Sequence, residues 1–138
     1  MNVLVDTTIW SLALRKKKKS QLELGLVNSL RELIDEGRAK IIGPIRQEVL
    51  SGISLPRDYQ KLKENLSAYE DIQLEIQDYE RGAEMFSLCR KNGIQGSHID
   101  FLICAVAENH HLSIFTLDKD FSRYAEYLPI LLFNFAKE

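Results

Sequence analysis

The sequence predicts one α/β domain built on a parallel sheet, and three observations carry that expectation. Val3-Leu4-Val5 opens the chain as an uninterrupted apolar run that stops on Asp6, and Leu112 to Leu117 is a second strand-like, mostly apolar segment that stops on Asp118. Runs of this kind suit strands buried on both faces of a parallel sheet, where ligands gather beyond the carboxyl ends. Stretches with helical spacing lie between the short strand-like runs, as βαβ crossovers require. Finally, 138 residues match one domain, and no repeat, low-complexity tract or Pro/Gly/Ser linker divides them.

The first strand covers residues 3–8 and places Asp6 at its working end, although Asp is also a favoured N-cap for the helix that starts near Thr8. Trp10 to Leu14 continues that helix. Arg15, Lys16, Lys17, Lys18 and Lys19 then interrupt it. Five consecutive cations repel one another and favour solvated chain, so this is either an exposed connector or a phosphate-contacting loop. Leu22, Leu26, Leu30, Leu33 and Ile34 recur at helical spacing up to a stop at Gly37, and residues 40–42 form a second strand. Gly43-Pro44 opens the next helix, since proline near the first helical position forfeits no hydrogen bond, and Glu48 falls one turn in. Residues 56–69 read as a polar helix with Leu62 and Leu66 on one face, residues 72–74 as a short strand, and residues 79–91 as an amphipathic helix closed by Asn92-Gly93.

Gly96-Ser97-His98-Ile99-Asp100 then leads into the almost wholly apolar Phe101-Leu102-Ile103-Cys104-Ala105-Val106-Ala107. A helix apolar on most sides must pack against the sheet, which fixes its first-turn carboxylate at the sheet's edge. Ser97 followed by Asp100 also resembles a capping box with Asp in place of Glu or Gln, so Asp100 has a helix-stabilising role open to it. His98 is expected to face solvent, and the i, i+1 spacing of His110 and His111 forms no metal face. After the strand at 112–117, Asp118 stands at the strand end like Asp6, whereas Asp120 falls where a helix containing Arg123, Tyr124 and Tyr127 would begin. Residues 130–133 make the last strand.

Composition narrows the function. Eighteen basic residues against twenty acidic give a net charge of −2, which excludes a wholesale basic surface and leaves only a local patch for nucleic acid. Cys89 and Cys104 form no CxxC pair, which argues for a reducing compartment and against thiolate metal ligation. With no signal-like start and no apolar run long enough to span a bilayer, a soluble cytoplasmic protein without membrane contact is expected.

Asp6, Glu48, Asp100 and Asp118 share one predicted edge of one sheet. Carboxylates gathered there repel and raise one another's pKa unless a cation neutralises them, and an all-oxygen set without His or Cys suits Mg2+ or Mn2+. Metal-assisted phosphodiester hydrolysis is the reaction that uses such equipment.

The same residues resemble a family. Val-Asp-Thr-Thr-Ile-Trp at 5–10, Glu48 in Gln-Glu-Val-Leu-Ser-Gly, Asp100 in Asp-Phe-Leu-Ile-Cys-Ala-Val-Ala and Asp118 in Thr-Leu-Asp-Lys-Asp-Phe together resemble the PIN-domain ribonucleases, in particular the toxin subunits of bacterial VapBC toxin-antitoxin pairs. The resemblance spans nearly the whole chain and rests on the order and spacing of four individually unspecific motifs. It implies a PIN-like parallel five-stranded sheet flanked by helices, Mg2+- or Mn2+-dependent RNA cleavage, a homodimer, and inhibition by a small antitoxin. By position it makes Asp6, Glu48, Asp100 and Asp118 the catalytic acids, with Asp6, Asp100 and Asp118 on the metal and Thr7 as an accessory hydroxyl. Thr7 stands where the family often has Ser, and Cys104 where it often has Ala. The Asp-Lys-Asp sequence leaves Asp118 and Asp120 as alternatives for the fourth acid, and the strand-end position favours Asp118. Thr8 occupies the place where a haloacid-dehalogenase-type phosphatase needs its second Asp, and a phosphoacceptor receiver would want an acidic pair where the chain has only Asp6. A PIN fold serving as a binding or scaffolding module is the remaining alternative, which the presence of all four acids disfavours.

Overall fold

In the computed structural model, which describes residues 1–15 and 17–134, the N-terminal strand lies in the middle of the sheet. The strands are β1 (Val3–Val5), β2 (Ala39–Lys40), β3 (Ser113–Phe115) and β4 (Leu131–Leu132), in the order β2-β1-β3-β4, and every pair is parallel. The helices are α1 (Thr7–Leu14), α2 (Gln21–Asp35), α3 (Gly43–Ser51), α4 (Pro56–Leu66), α5 (Ile76–Lys91), α6 (His98–Asn109) and α7 (Asp120–Tyr124). Burial explains the unbroken apolar runs: Val3, Leu4, Val5, Ile114 and Phe115 are all fully buried.

The expected fifth strand is reduced to one parallel bridge, Ile41 to Asp71, on the outer side of β2. Its hydrogen bond is Ile72 N–H to the Ile41 carbonyl, 3.0 Å. Two features leave no room for more. On one side, the Arg46 guanidinium holds the incoming chain by donating to the carbonyls of Leu66 (2.8 Å) and Tyr69 (2.7 Å) and to Asp71 Oδ1 (2.9 Å). On the other, Glu75 already caps α5, its N–H donating to Asp78 Oδ2 at 3.0 Å. That acidic capping box also starts α5 at Ile76, earlier than the expected residue 79.

In α6 every residue from Phe101 to Ala107 is buried. Large side chains buried this fully contribute roughly 1.5–3 kcal/mol each. α5 packs closely across it at Gly82, where an added Cβ would lie 3.5 Å from the Phe101 carbonyl oxygen. Asp78 is itself fully buried and ties the two helices together, accepting from Asn109 Nδ2 at 2.8 Å with His110 Nε2 at 3.4 Å. The α2 stripe is buried at Leu26, Leu30 and Leu33, but Leu22 is 66% exposed because the first turn of α2 runs past the core. Ser20 and Glu23 fix that turn as a reciprocal capping box. Gly37 and Gly93, with φ of 70° and 76°, follow α2 and α5 in the left-handed conformation that glycine adopts without penalty. No helix among the described residues is long and apolar enough to cross a membrane.

Candidate active site

The parallel register of β1 and β3 pairs Val5 with Phe115, so the next residues, Asp6 and Thr116, emerge side by side at the carboxyl edge of the sheet. Asp6 N–H still donates to the Phe115 carbonyl at 2.9 Å, continuing the ladder. Asp6 occupies the N-cap position of α1, yet its carboxylate makes no capping bond. Its Oδ2 accepts instead from two hydroxyls, Thr116 at 2.7 Å and Thr8 at 3.0 Å. Those hydroxyls are anchored in turn, since Asp118 N–H donates to Thr116 Oγ1 and Leu117 N–H to Thr8 Oγ1, each at 3.0 Å. Asp6 is thereby aimed by the segment that carries Asp118, and among the described residues nothing donates to its Oδ1.

Asp100 reaches the same edge from α6. Ser97 caps that helix by accepting from Asp100 N–H at 3.1 Å, but the carboxylate does not accept from the Ser97 backbone N–H as a reciprocal box requires. It accepts at Oδ2 from the hydroxyl of Tyr124 at 2.6 Å. Burial pushes the Asp100 pKa above the usual carboxylate value, and the negative charges of Asp118 and Asp6 push the same way. Hydrogen bonds from Tyr124 and Ser97 oppose them without cancelling them.

Asp118 and Asp120 complete the cluster. Asp120 does not cap α7: Lys119 is the N-cap residue, and Asp118 Oδ1 accepts from Asp120 N–H at 2.9 Å. Asp100, Asp118 and Asp120 can each contribute an oxygen to a set lying within 4.8 Å of one another. Glu48 is exposed on α3, outside that set, and is joined to the strand end by Thr7, whose Oγ1 donates to Oε1 at 2.9 Å.

The donor set fits a hard divalent cation. Oxygens about 2.1 Å from an octahedral Mg2+ stand within roughly 4.2 Å of one another, a span comparable with the 4.8 Å bound on this triad. Among the described residues no Lys or Arg forms an ion pair with Asp6, Asp100, Asp118 or Asp120, so those residues leave the negative charge of the cluster in place. Burial pushes the thiols of Cys89 and Cys104 up, so neither offers a thiolate at neutral pH.

The basic run begins beside the acids. A groove of about 340 Å³ lined by Thr8, Ser11, Leu12, Arg15, Leu117 and Asp118 connects the two. Arg15 is held by Glu23 at 3.0 Å, Lys19 Nζ donates to the Arg15 carbonyl at 2.8 Å, and Lys17 and Lys18 are exposed. Lys16 lies outside the described residues.

Three polar side chains that hold the acids were not singled out from the sequence for that role: Thr8, Thr116 and Tyr124. The first two had a readable signal, because a hydroxyl two residues after Asp6 and another two residues before Asp118 lie close to both strand ends. Tyr124 had none, since it meets Asp100 only through the packing of α7 on α6.

Comparison with known proteins agrees with this geometry. The PIN domain model matches residues 3–127. A search of curated proteins found no match. Among solved structures, FitAcB from Neisseria gonorrhoeae superposes with a TM-score of 0.78 at 21% identity, covering 99% of each chain. VapBC2 from Rickettsia felis, bound to a DNA fragment from its promoter, gives 0.74 at 21% identity, covering 97% of this chain and 98% of that one. A toxin-antitoxin complex from Klebsiella pneumoniae gives 0.64 at 21% identity, covering 88% and 91%. With a family match over nearly its whole length and a PIN-like parallel sheet flanked by helices, the chain belongs to the PIN domain family.

Proposed function

We propose that this protein is an Mg2+- or Mn2+-dependent endoribonuclease that acts as the toxin of a type II toxin-antitoxin pair. The observation that carries this reading is the meeting of Asp100, Asp118 and Asp120 within 4.8 Å, beside Asp6 and without a basic partner among the described residues. Asp100, Asp118 and Asp120 would hold the ion, with Asp6 contributing its open Oδ1. A divalent cation bound there supplies Lewis-acid polarisation of the phosphoryl group and lowers the pKa of water. The protein's own part is positional. Thr8 and Thr116 hold Asp6 in one orientation, and Thr7 holds Glu48 at the rim, where it faces an approaching substrate. The exposed Lys17 and Lys18, two and three residues beyond the groove-lining Arg15, give an RNA backbone a second point of contact.

Solved toxin-antitoxin complexes among the structural neighbours support an antitoxin partner, and the reading places a homodimer in the cytoplasm with its RNA substrate. An inhibitory segment complementary to this site would place an Arg or Lys among the acids, where the cation stands in for the metal. Excess Mn2+ should then weaken the complex, and a complex indifferent to Mn2+ would count against that mode of inhibition. The central test is cleavage of single-stranded RNA by the purified protein in Mg2+, in Mn2+ and in EDTA, beside Asp6→Asn and Asp118→Asn. Metal-dependent cleavage lost in both variants is expected. Binding of RNA without cleavage under any metal would instead assign the chain as a binding module.

A further inference from the structure

We infer that Tyr124 is a positioning residue for Asp100, and that Gly96 exists to admit it. Tyr124 is fully buried between Phe101, 4.8 Å away between ring centroids, and Phe121, 5.2 Å away. A phenylalanine would fill the same space, so packing does not explain the hydroxyl. The hydroxyl donates to Asp100 Oδ2 at 2.6 Å, the length expected of a hydroxyl bonded to a charged oxygen. Tyr124 also lies one turn after Asp120 in α7. The bond therefore ties the carboxylate of α6 to the short helix that carries another acid of the cluster. Like charges would otherwise drive those two segments apart, and the phenol opposes this without adding a positive charge.

Gly96 supplies the second observation. A Cβ there would meet the Tyr124 hydroxyl in direct overlap and lie 2.8 Å from Cζ of the same ring and 2.9 Å from Phe101 Cε2. Its φ is not in the left-handed range, unlike those of Gly37 and Gly93, so space rather than backbone conformation requires glycine. The ring carbons alone would crowd a Cβ, so Gly96 admits the whole Tyr124 side chain against Phe101, and the hydroxyl that reaches Asp100 takes the tightest part of that space.

The inference rests on the reading of the acids as a metal site, and its test separates the two. Mn2+ binding to the purified protein is titrated directly, by the loss of free-ion electron paramagnetic resonance signal, for wild type, Tyr124→Phe, Gly96→Ala, Asp100→Asn and the double variant Tyr124→Phe/Asp100→Asn. Melting in EDTA is recorded in parallel, and all titrations are run below the lowest midpoint. Loss of a group that orients a metal ligand weakens metal binding by about 10- to 100-fold. The expected result is a dissociation constant raised by about tenfold or more in Tyr124→Phe and in Gly96→Ala, with no further loss when Tyr124→Phe is added to Asp100→Asn. A purely structural tyrosine would lower the melting point and leave the Mn2+ constant unchanged, which overturns the inference. Additive losses in the double variant overturn it as well, because Tyr124 would then not act through Asp100. If wild type itself binds no Mn2+, the metal-site reading falls and the positioning role falls with it.

Discussion

Neutralising Asp100 should have opposite effects on stability without and with metal, and the structure bounds both. In EDTA, Asp100→Asn removes a carboxylate whose pKa is raised first by burial and then by the charges of Asp118 and Asp6. Two unit charges at the 4.8 Å limit of the cluster repel by about 3.5 kcal/mol at an effective dielectric constant of 20. Solvent around Asp118 and Asp120 cuts this to the order of 1 kcal/mol. Against it stand the favourable charge at the N-terminus of α6, roughly 0.3–1 kcal/mol, and the change from a charged to a neutral acceptor for Tyr124, about 1 kcal/mol. Relief of the desolvation penalty, the largest cause of the raised pKa, adds to the gain and tips the sum toward the neutral side chain. The expected gain is between zero and about 1 kcal/mol, which for a domain of this size lifts the melting temperature by up to roughly 4 °C.

The sign with pH follows from the same shift. A folded-state pKa above the unfolded value lets the native protein hold the proton longer, so metal-free stability falls as pH rises from the ordinary carboxylate range through the raised value. Asp100→Asn should flatten that fall. Mn2+ reverses the ranking: at a hundredfold excess over its dissociation constant it adds about 2.7 kcal/mol to wild type, and only about 1.4 kcal/mol to a variant that binds tenfold more weakly. Thermal melts of both proteins in EDTA and in Mn2+ read all of this. A variant less stable than wild type in EDTA, with an undiminished metal shift, would make Asp100 a helix stabiliser and refute the cluster argument.

Two further outcomes are expected. Because Arg15 is engaged by Glu23 and Lys19 by the Arg15 carbonyl, Lys17 and Lys18 should carry the RNA contacts, and replacing both by Ser should reduce the slope of log affinity against log salt by about 1.4. An unchanged slope would make the loop a connector. At Asp78, burial pushes the pKa up, but hydrogen bonds from Asn109, the Glu75 N–H and His110 outweigh it and hold the value below the ordinary range. Asp78 therefore contributes stability that is present above the ordinary carboxylate pKa and lost as pH falls through the depressed one. Asp78→Asn should cost roughly 1–3 kcal/mol at neutral pH in urea unfolding and flatten the acid limb; equal losses at pH 7 and at pH 3 would contradict this account.

Elements whose local chemistry is self-contained were legible in the sequence. The apolar run before Asp6, the turn at Gly37, the proline near the start of α3 and the apolar stretch Phe101–Ala107 of α6 each signal themselves within a few residues. What was not legible depends on partners remote in sequence. Leu22 fits the helical stripe, but only the extent of the core decides that it lies beyond it. Ile72 to Leu74 has strand-like residues, but the grip of Arg46 on the preceding carbonyls and the early start of α5 limit the pairing to one bridge. Within the site, the acids announced themselves by ending strands or opening helices. The ambiguity between Asp118 and Asp120 has a geometric origin: the turn that begins α7 folds both carboxylates toward Asp100, so both belong to one cluster.

The hidden part of the site is also the part that makes it physically tenable. Gathered carboxylates need restraint, and the restraint decides whether their charge remains available. A Lys or Arg among them would hold them firmly but would occupy the position of a metal ion. Here Asp6 is held by two threonine hydroxyls, Asp100 by a phenol, Asp118 by a backbone N–H and Glu48 by a third threonine. All these donors are neutral. Each fixes the orientation of a carboxylate while leaving its charge in place, so the field at the cluster stays negative and selects for a cation. The β1–β3 register brings Thr116 to Asp6, and the docking of α7 on α6 brings Tyr124 to Asp100, so the fold itself delivers the donors. The sheet topology thus performs two tasks at once: it collects the acids at one edge, and it supplies from the neighbouring segments the uncharged groups that keep them there.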